Sequence, residues 1–274
     1  MIILEKTKVV GFEDAIRGMR NPMNSWDKSD SGICKGGDDG IGCTNCASSP
    51  CDHSYNHSFQ IGKNDYDLML KLAKAGSVHG KYRRMITVYT DITAPLYWWK
   101  EFDTYKVGTV ANSCSTMHKI AEKGFVVSDF SCEHIIRDYI GDHNDAIYYK
   151  DLPENGSVKG PMMYSPFDVL RLNIAALNTN REAYLKVSKE LANDMPPSEM
   201  HRLQNLKKEY WWQMIQLLPS SYNQKRTIIL NYEVLSNMYE YREGHPLDEW
   251  QGLCKWIEKL PYPEIVTCNR KGER

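Results

Sequence analysis

An α+β fold is predicted by three features of the sequence. Residues 2–10 and 85–94 alternate apolar and polar side chains and are rich in β-branched residues, the period of two that a half-buried strand requires. Between them, from Asn21 to His57, the composition shifts to Ser, Gly, Asp and Cys and periodicity ends. The second half then reads as one helical pattern after another. A small sheet packed with many helices, in a single domain spanning 1–274 with a Cys-rich insertion at about 30–58, is the architecture this order implies.

Each element has its own warrant. Residues 12–19 (FEDAIRGM) form a short helix after the first strand. Asn64-Asp65 are placed to cap a helix running to Ala75, with Leu68, Leu70, Leu72 and Ala73 on its buried side and Gly76 as its stop. In the second strand Ile86, Val88, Thr90 and Ile92 share one face, and Pro95 ends it. Helices are expected at about 111–123, 166–193, 198–217, 222–242 and 247–259, separated by Gly156, Gly160, Pro196-Pro197, Pro219 and Pro261.

Composition narrows the function. With 34 basic and 35 acidic residues in 274, the net charge is −1, which lacks the electrostatic footprint of a general nucleic-acid binder. No apolar run approaches the ~20 residues that span a bilayer. The opening MIILEKTKVV carries Glu5, Lys6 and Lys8 where a signal peptide would be apolar, so a cytoplasmic location is expected. In that compartment the eight cysteines read as metal ligands, redox groups or core fillers rather than disulfides.

Three constellations carry chemistry. Cys34, Cys43, Cys46 and Cys51, followed by His53 and His57, could close a tetrahedral zinc site in a loop with little core of its own. The same spacing also suits an unbound loop, or an iron–sulfur or redox role. Residues 95–119 concentrate Trp98, Trp99, Lys106 and Gly108 ahead of Ser113, Cys114, Ser115 and Thr116 at a helix start, where free N–H groups favour a phosphate. The alternative there is a buried aromatic turn followed by an N-capped helix. Cys114 invites a thiolate reading but has no assignable histidine base. Third, within a helix over 222–242, Asn231, Leu235, Met238 and Arg242 would lie along one face spanning about 16 Å. That stripe suits a flat heterocycle packed on its apolar centre with its carbonyls at the polar ends. Otherwise, Arg242 pairs with an acidic neighbour at the helix end.

Two ungapped stretches, in the right order, resemble the flavin-dependent thymidylate synthase family. That family carries a Gly-His element, an Arg-His-Arg signature and a Ser…Asn-Glu-x-Ser-x-Arg pattern. Here His79 precedes Thr104-Tyr105-Lys106 at the family spacing, Thr109 falls on the first serine, and Asn112 and Ser115 match the next Asn and Ser with one inserted residue. The family's later Leu-Pro, two asparagines and terminal arginine match Leu218-Pro219, Asn231, Asn237 and Arg242. The resemblance covers roughly residues 64–259 and leaves 21–60 outside. Thr104, Tyr105 and Lys106 replace the signature's Arg-His-Arg, and Ile215 and Glu233 stand where two further arginines are found. Arg83, Arg84, Lys119 and Arg226 are candidates to restore the lost charge.

The resemblance implies a homotetramer with sites between subunits that binds FAD and a pyrimidine nucleotide. It implies reductive methylation of dUMP to dTMP with methylenetetrahydrofolate and NADPH as co-substrates, without an enzyme nucleophile. Carried over residue by residue, Arg242 contacts the uracil. Ser115, or Cys114 in the ungapped frame, contacts the nucleotide; Arg242 and Ser115 are thus the catalytic candidates. His79, Thr104, Lys106, Asn231 and Asn237 hold the flavin. Two alternatives remain: the same fold acting on another pyrimidine nucleotide, for example by hydroxymethylation, and a non-catalytic zinc-containing binding protein.

Overall fold

A computed structural model describes residues 1–33, 59–137, 147–149 and 162–268. In chain order these form β1 (Ile3–Val10), α1 (Phe12–Arg20), β2 (Gly32–Ile33), β3 (Phe59–Gln60), α2 (Lys63–Lys74), β4 (Thr87–Pro95), α3 (Leu96–Phe102), β5 (Val110–Ser113) and α4 (Thr116–Lys119). They continue with β6 (Ile147–Tyr149), β7 (Met162–Tyr164), α5 (Pro166–Glu190), α6 (Pro197–Leu217), β8 (Asn223–Asn231), α7 (Tyr232–Arg242), α8 (Asp248–Ile257) and α9 (Glu264–Thr267). No helix among the described residues is long and apolar enough to cross a membrane. The chain divides into two compact units, one made of Met1, Ala94–Trp99 and Cys114–Gln224, the other of Ile2–Thr93, Lys100–Ser113 and Lys225–Arg274.

The second unit holds a four-stranded sheet in the order β1-β4-β8-β5, apart from the last residues of β4 and the first of β8. β1 runs antiparallel to β4, and β5 antiparallel to β8. The alternation in β4 holds: Ile86 just before it and Val88, Thr90 and Ile92 within it are all buried. They join Ile16 and Met19 of α1, Met69 and Ala73 of α2, and Trp250, Leu253 and Ile257 of α8 in the core. α7 is buried on nearly every side, packed against α8 and α9.

Two expected helices are corrected. The predicted helix over 222–242 is a strand, β8, to Asn231 and a helix only from Tyr232. Thr227, Ile228 and Ile229, all β-branched, lie in the strand, where Ile228 and Leu230 reach the core. The predicted helix over 111–123 shrinks to the single turn of α4, because Val110–Ser113 pair with β8 instead.

A third correction concerns the start of α2. Asn64 and Asp65 do not cap it. Asp30, far upstream, accepts the backbone N–H groups of Asn64 (2.8 Å) and Asp65 (3.1 Å), which satisfies the helix's free donors. Gly62 is required there, since a Cβ would lie 2.2 Å from the Asp30 Cγ. Asp65 is instead buried, accepting from Arg20 Nε (2.6 Å), Ser29 Oγ (2.6 Å), Asp30 N (3.2 Å), Ser31 N (3.1 Å) and Ser31 Oγ (2.6 Å). Beside this cluster β2 pairs with β3 in two rungs, Gly32 opposite Gln60 and Ile33 opposite Phe59. The intervening Cys34, Cys43, Cys46 and Cys51, the candidate zinc ligands, lie outside the described residues.

The first unit is helical. α5 and α6 pack along one another, and Ser165 caps α5 as expected of a Ser-Pro start. Its core gathers Ile120, Phe125, Phe130, Leu170, Ile174, Leu177 and Met214. Asn178 closes it by exchanging two hydrogen bonds with the Phe125 backbone (2.8 and 2.9 Å).

Burial pushes the Asp65 carboxyl up, but the hydrogen bonds from Ser29, Ser31 and Arg20 outweigh it and hold the group below its ordinary value. A depressed carboxyl contributes stability above its unfolded pKa, about 3.9, and loses it as pH falls through the folded value. Asp65→Asn should therefore cost about 3–5 kcal/mol near neutral pH by leaving Arg20 buried without its partner. The gap to the parent should narrow in denaturant titrations run at progressively lower pH.

Candidate functional site

Three of the candidate residues of the sheet unit, Asn231, Asn237 and Arg242, lie at or in α7. β8 ends at Asn231, whose Oδ1 accepts the Val234 N–H at 3.0 Å and caps the helix. Its Nδ2 lies against Gly108, where φ is +80° and an added Cβ would sit 2.8 Å from that nitrogen. Gly108 thus leaves room for the Asn231 amide. One residue on, Tyr232 is buried, donating its N–H to Ile86 O (3.1 Å) and its hydroxyl to Pro261 O (2.6 Å).

The apolar centre of the predicted stripe is not available to a ligand. Leu235 and Met238 are both 0% exposed; they are core. A flat heterocycle cannot pack on them, and the stripe reading is overturned because Asn231 precedes the helix rather than lying on it. Asn237 is exposed, and its side chain makes no hydrogen bond among the described residues.

Arg242, at the end of α7, is held on three sides. Its guanidinium carbon lies 4.5 Å from the ring centroid of Trp250, a residue that is 0% exposed. Nε donates to Tyr105 Oη at 3.1 Å, and Nη1 pairs with Glu101 Oε2 at 3.0 Å. Trp250 Nε1 donates to that same Glu101 oxygen at 2.9 Å. His245 accepts the Leu247 N–H at Nδ1 (3.1 Å), so its Nε2 carries the hydrogen, 3.8 Å from Glu101. Arg242 keeps 21% of its side chain exposed. Its Nη2 donors make no hydrogen bond among the described residues. The acidic partner is real, but it comes from α3 and not from the end of Arg242's own helix.

The other carried-over positions are mostly open. Thr104 is exposed and donates to the Glu101 carbonyl (2.7 Å). Lys106 and His79 are exposed, and neither makes an ion pair among the described residues. The four cations considered as replacements are engaged. Arg84 pairs with Glu233, Arg226 with Asp103 (2.7 Å) and Lys119 with Glu122 (3.0 Å). Arg83 is buried on Gly80 O, Ser236 Oγ and Ile265 O. Glu233 thus occupies a family arginine position with an arginine of its own.

Ser115 and Cys114 belong to the helical unit. Ser115 Oγ accepts the His118 N–H at 3.2 Å and caps α4. Cys114 is exposed, and its carbonyl accepts Gln224 Nε2 at 3.1 Å. Because α4 is one turn long, it offers no helix terminus for a phosphate; Trp98 and Trp99 are buried, but in the helix α3 rather than in the aromatic turn that the alternative reading of 95–119 expects. Among the described residues no group of His, Cys, Asp and Glu could hold a metal.

Sequence reasoning had placed Arg242, Asn231 and Asn237 near a ligand but missed Glu101 and Trp250. No local pattern announces them, for Glu101 and Arg242 are 141 positions apart and meet only through the packing of α3, α7 and α8.

These elements define an α+β protein in which a small antiparallel sheet and a buried helix present one arginine in an aromatic frame. No protein-family model matches the chain, and no curated protein matches it in sequence. Solved structures do. Thymidylate synthase X from Helicobacter pylori with FAD and dUMP is similar with a TM-score of 0.51 at 13% identity, over 96% of this chain and 94% of that one. A flavin-dependent thymidylate synthase from Helicobacter pylori complexed with FAD and dUMP gives 0.52 at 13% identity, over 98% and 99%. The chain has the flavin-dependent thymidylate synthase fold, as the resemblance implied.

Asn231 makes the local argument testable. Asn231→Ala should cost about 1 kcal/mol through the lost cap, whereas Asn231→Asp should preserve it. Gly108→Ala should cost about 1–3 kcal/mol from the left-handed backbone alone, with the contact to Asn231 added. Thermal or denaturant unfolding of the three variants checks the order.

Proposed function

We propose that this protein is an FAD-dependent enzyme of pyrimidine nucleotide metabolism that converts dUMP to dTMP by reductive methylation, with methylenetetrahydrofolate as carbon donor and NADPH as reductant. The carrying observation is the disposition of Arg242 in a chain that shares the fold of such enzymes along nearly its whole length. The working form is a cytoplasmic homotetramer with sites shared between subunits, its 274 residues acting as one catalytic domain.

Arg242 is suited to the base rather than the phosphate. Its charge is balanced by Glu101 at 3.0 Å, so an approaching dianion meets a neutral pair. Its unused N–H groups can still donate to carbonyl oxygens on a ring edge, and stabilise negative charge that develops there. Ser115, or Cys114 beside it, is the nucleotide contact that the resemblance carries over.

The residues present fit a flavin, though sparingly. Asn231 retains its Nδ2 donor after capping α7. Asn237, His79 and Lys106 are exposed with their polar groups free among the described residues. Thr104 lies beside Lys106. Lys106 supplies a point charge in place of the planar grip of an arginine. When bound, a flavin supplies hydride transfer; the chain's own part is to bind and orient the nucleotide against it and to hold the uracil carbonyls.

The test is direct. Purified protein should be yellow or take up FAD, and should form dTMP from dUMP when given methylenetetrahydrofolate and NADPH. Lys106→Ala should weaken FAD binding about tenfold, the effect of one charged hydrogen bond, and Asn231→Asp should weaken it while keeping the fold. A colourless protein that takes up no FAD and forms no product from dUMP or UMP would favour the non-catalytic alternative.

A further inference from the structure

Glu101 serves both a buried donor and a partly open arginine with one oxygen. It lies at the end of α3, 37% exposed in its side chain, yet the indole N–H of fully buried Trp250 is spent on its Oε2. That same oxygen takes Arg242 Nη1. Tyr105, four residues after Glu101, supplies the second contact at Arg242 Nε, and its ring packs edge-on to Trp250 at 6.0 Å. An exposed ion pair made only for stability needs no such frame and contributes little. Here a flexible side chain is fixed from below by an aromatic plane and from the side by two acceptors, and its remaining donors are left free.

We propose that Glu101 is a positioning residue for Arg242, locking its guanidinium on Trp250 so that the free N–H edge is already aimed at the neutral, carbonyl-bearing edge of a pyrimidine base. The inference rests on the nucleotide reading above. Its physical content is preorganisation: an arginine whose rotamers are already restricted does not have to be ordered when the ligand arrives. Glu101 also sets the sign of the site, since a compensated guanidinium favours a neutral ring edge over an anion.

The full chain, loaded with FAD, is compared as wild type, Glu101→Gln, Arg242→Lys and the double variant. dUMP binding is followed by calorimetry, and the Arg242 Nε–H by 15N NMR, its signal identified by its loss in Arg242→Lys. Glu101→Gln should weaken dUMP about three- to tenfold, the cost of one freed side chain. It should leave FAD affinity unchanged and speed exchange of the Arg242 Nε–H. In the Arg242→Lys background it should add nothing further. Losses that simply add, or a Glu101→Gln protein that binds dUMP like the parent, overturn the proposal while the nucleotide reading stands. A wild type that binds no dUMP although its Arg242 Nε–H is protected overturns the nucleotide reading, and with it the ligand named here.

Discussion

The turn from strand to helix at Asn231 is the constraint on which the sheet unit's geometry depends. A strand residue whose side chain caps the following helix can do so only if the chain turns sharply. Gly108 makes room for that turn by offering no Cβ to the Asn231 amide. Tyr232, anchored at both ends of its side chain and backbone, then fixes the rotation of α7. Tyr232–Ser236, Met238 and Tyr239 are consumed by the core. The residues left facing outward, Asn237 and Arg242 among them, are what packing does not claim. Function on this helix is therefore confined to its ends and to one narrow outer strip.

Charge follows a similar economy. The chain places an acid or a set of carbonyls against almost every cation near α7. Arg84 answers Glu233, Arg226 answers Asp103, and Arg83 is satisfied by two carbonyls and a hydroxyl. A site that binds phosphate through several arginines works by excess positive charge. This one has little excess to offer: among the carried-over positions Lys106 is exposed and makes no ion pair among the described residues. The proposed recognition accordingly leans on hydrogen bonds to neutral edges, from the asparagines and Arg242.

Much of this was legible in the sequence, and the failures have physical causes. β4 could be read because Val88, Thr90, Ile92 and Ala94 share a buried face while Thr87, Tyr89 and Thr93 between them are more open. α5 and α6 could be read because proline and serine mark their starts. β8 was mistaken for helix because Asn231, Leu235, Met238 and Arg242 fit a helical period across a strand–helix boundary, and buried residues on both sides of the boundary continue the pattern. The β-branched run Thr227–Ile229 is what favours strand there. The start of α2 and the partner of Arg242 were illegible for another reason. Asp30 and Glu101 act across long stretches of chain, and no local spacing encodes such a meeting.

Two arginine–carboxylate pairs show how burial divides structural from functional work. In Arg20–Asp65 the side chains are 5% and 0% exposed, and the carboxylate accepts five hydrogen bonds. The carboxylate is saturated and pins residues 29–31 to α2, while Arg20 Nη1 donates to Ser25 O at 3.2 Å. In Arg242–Glu101 the exposures are 21% and 37%, and the guanidinium is fixed without being saturated. A saturated buried pair would be inert, and an exposed one without Trp250 and Tyr105 would be mobile. Only the intermediate state combines a settled direction with unspent donors. That combination is what a site must have if it is to recognise a weakly polar ring by orientation instead of by charge.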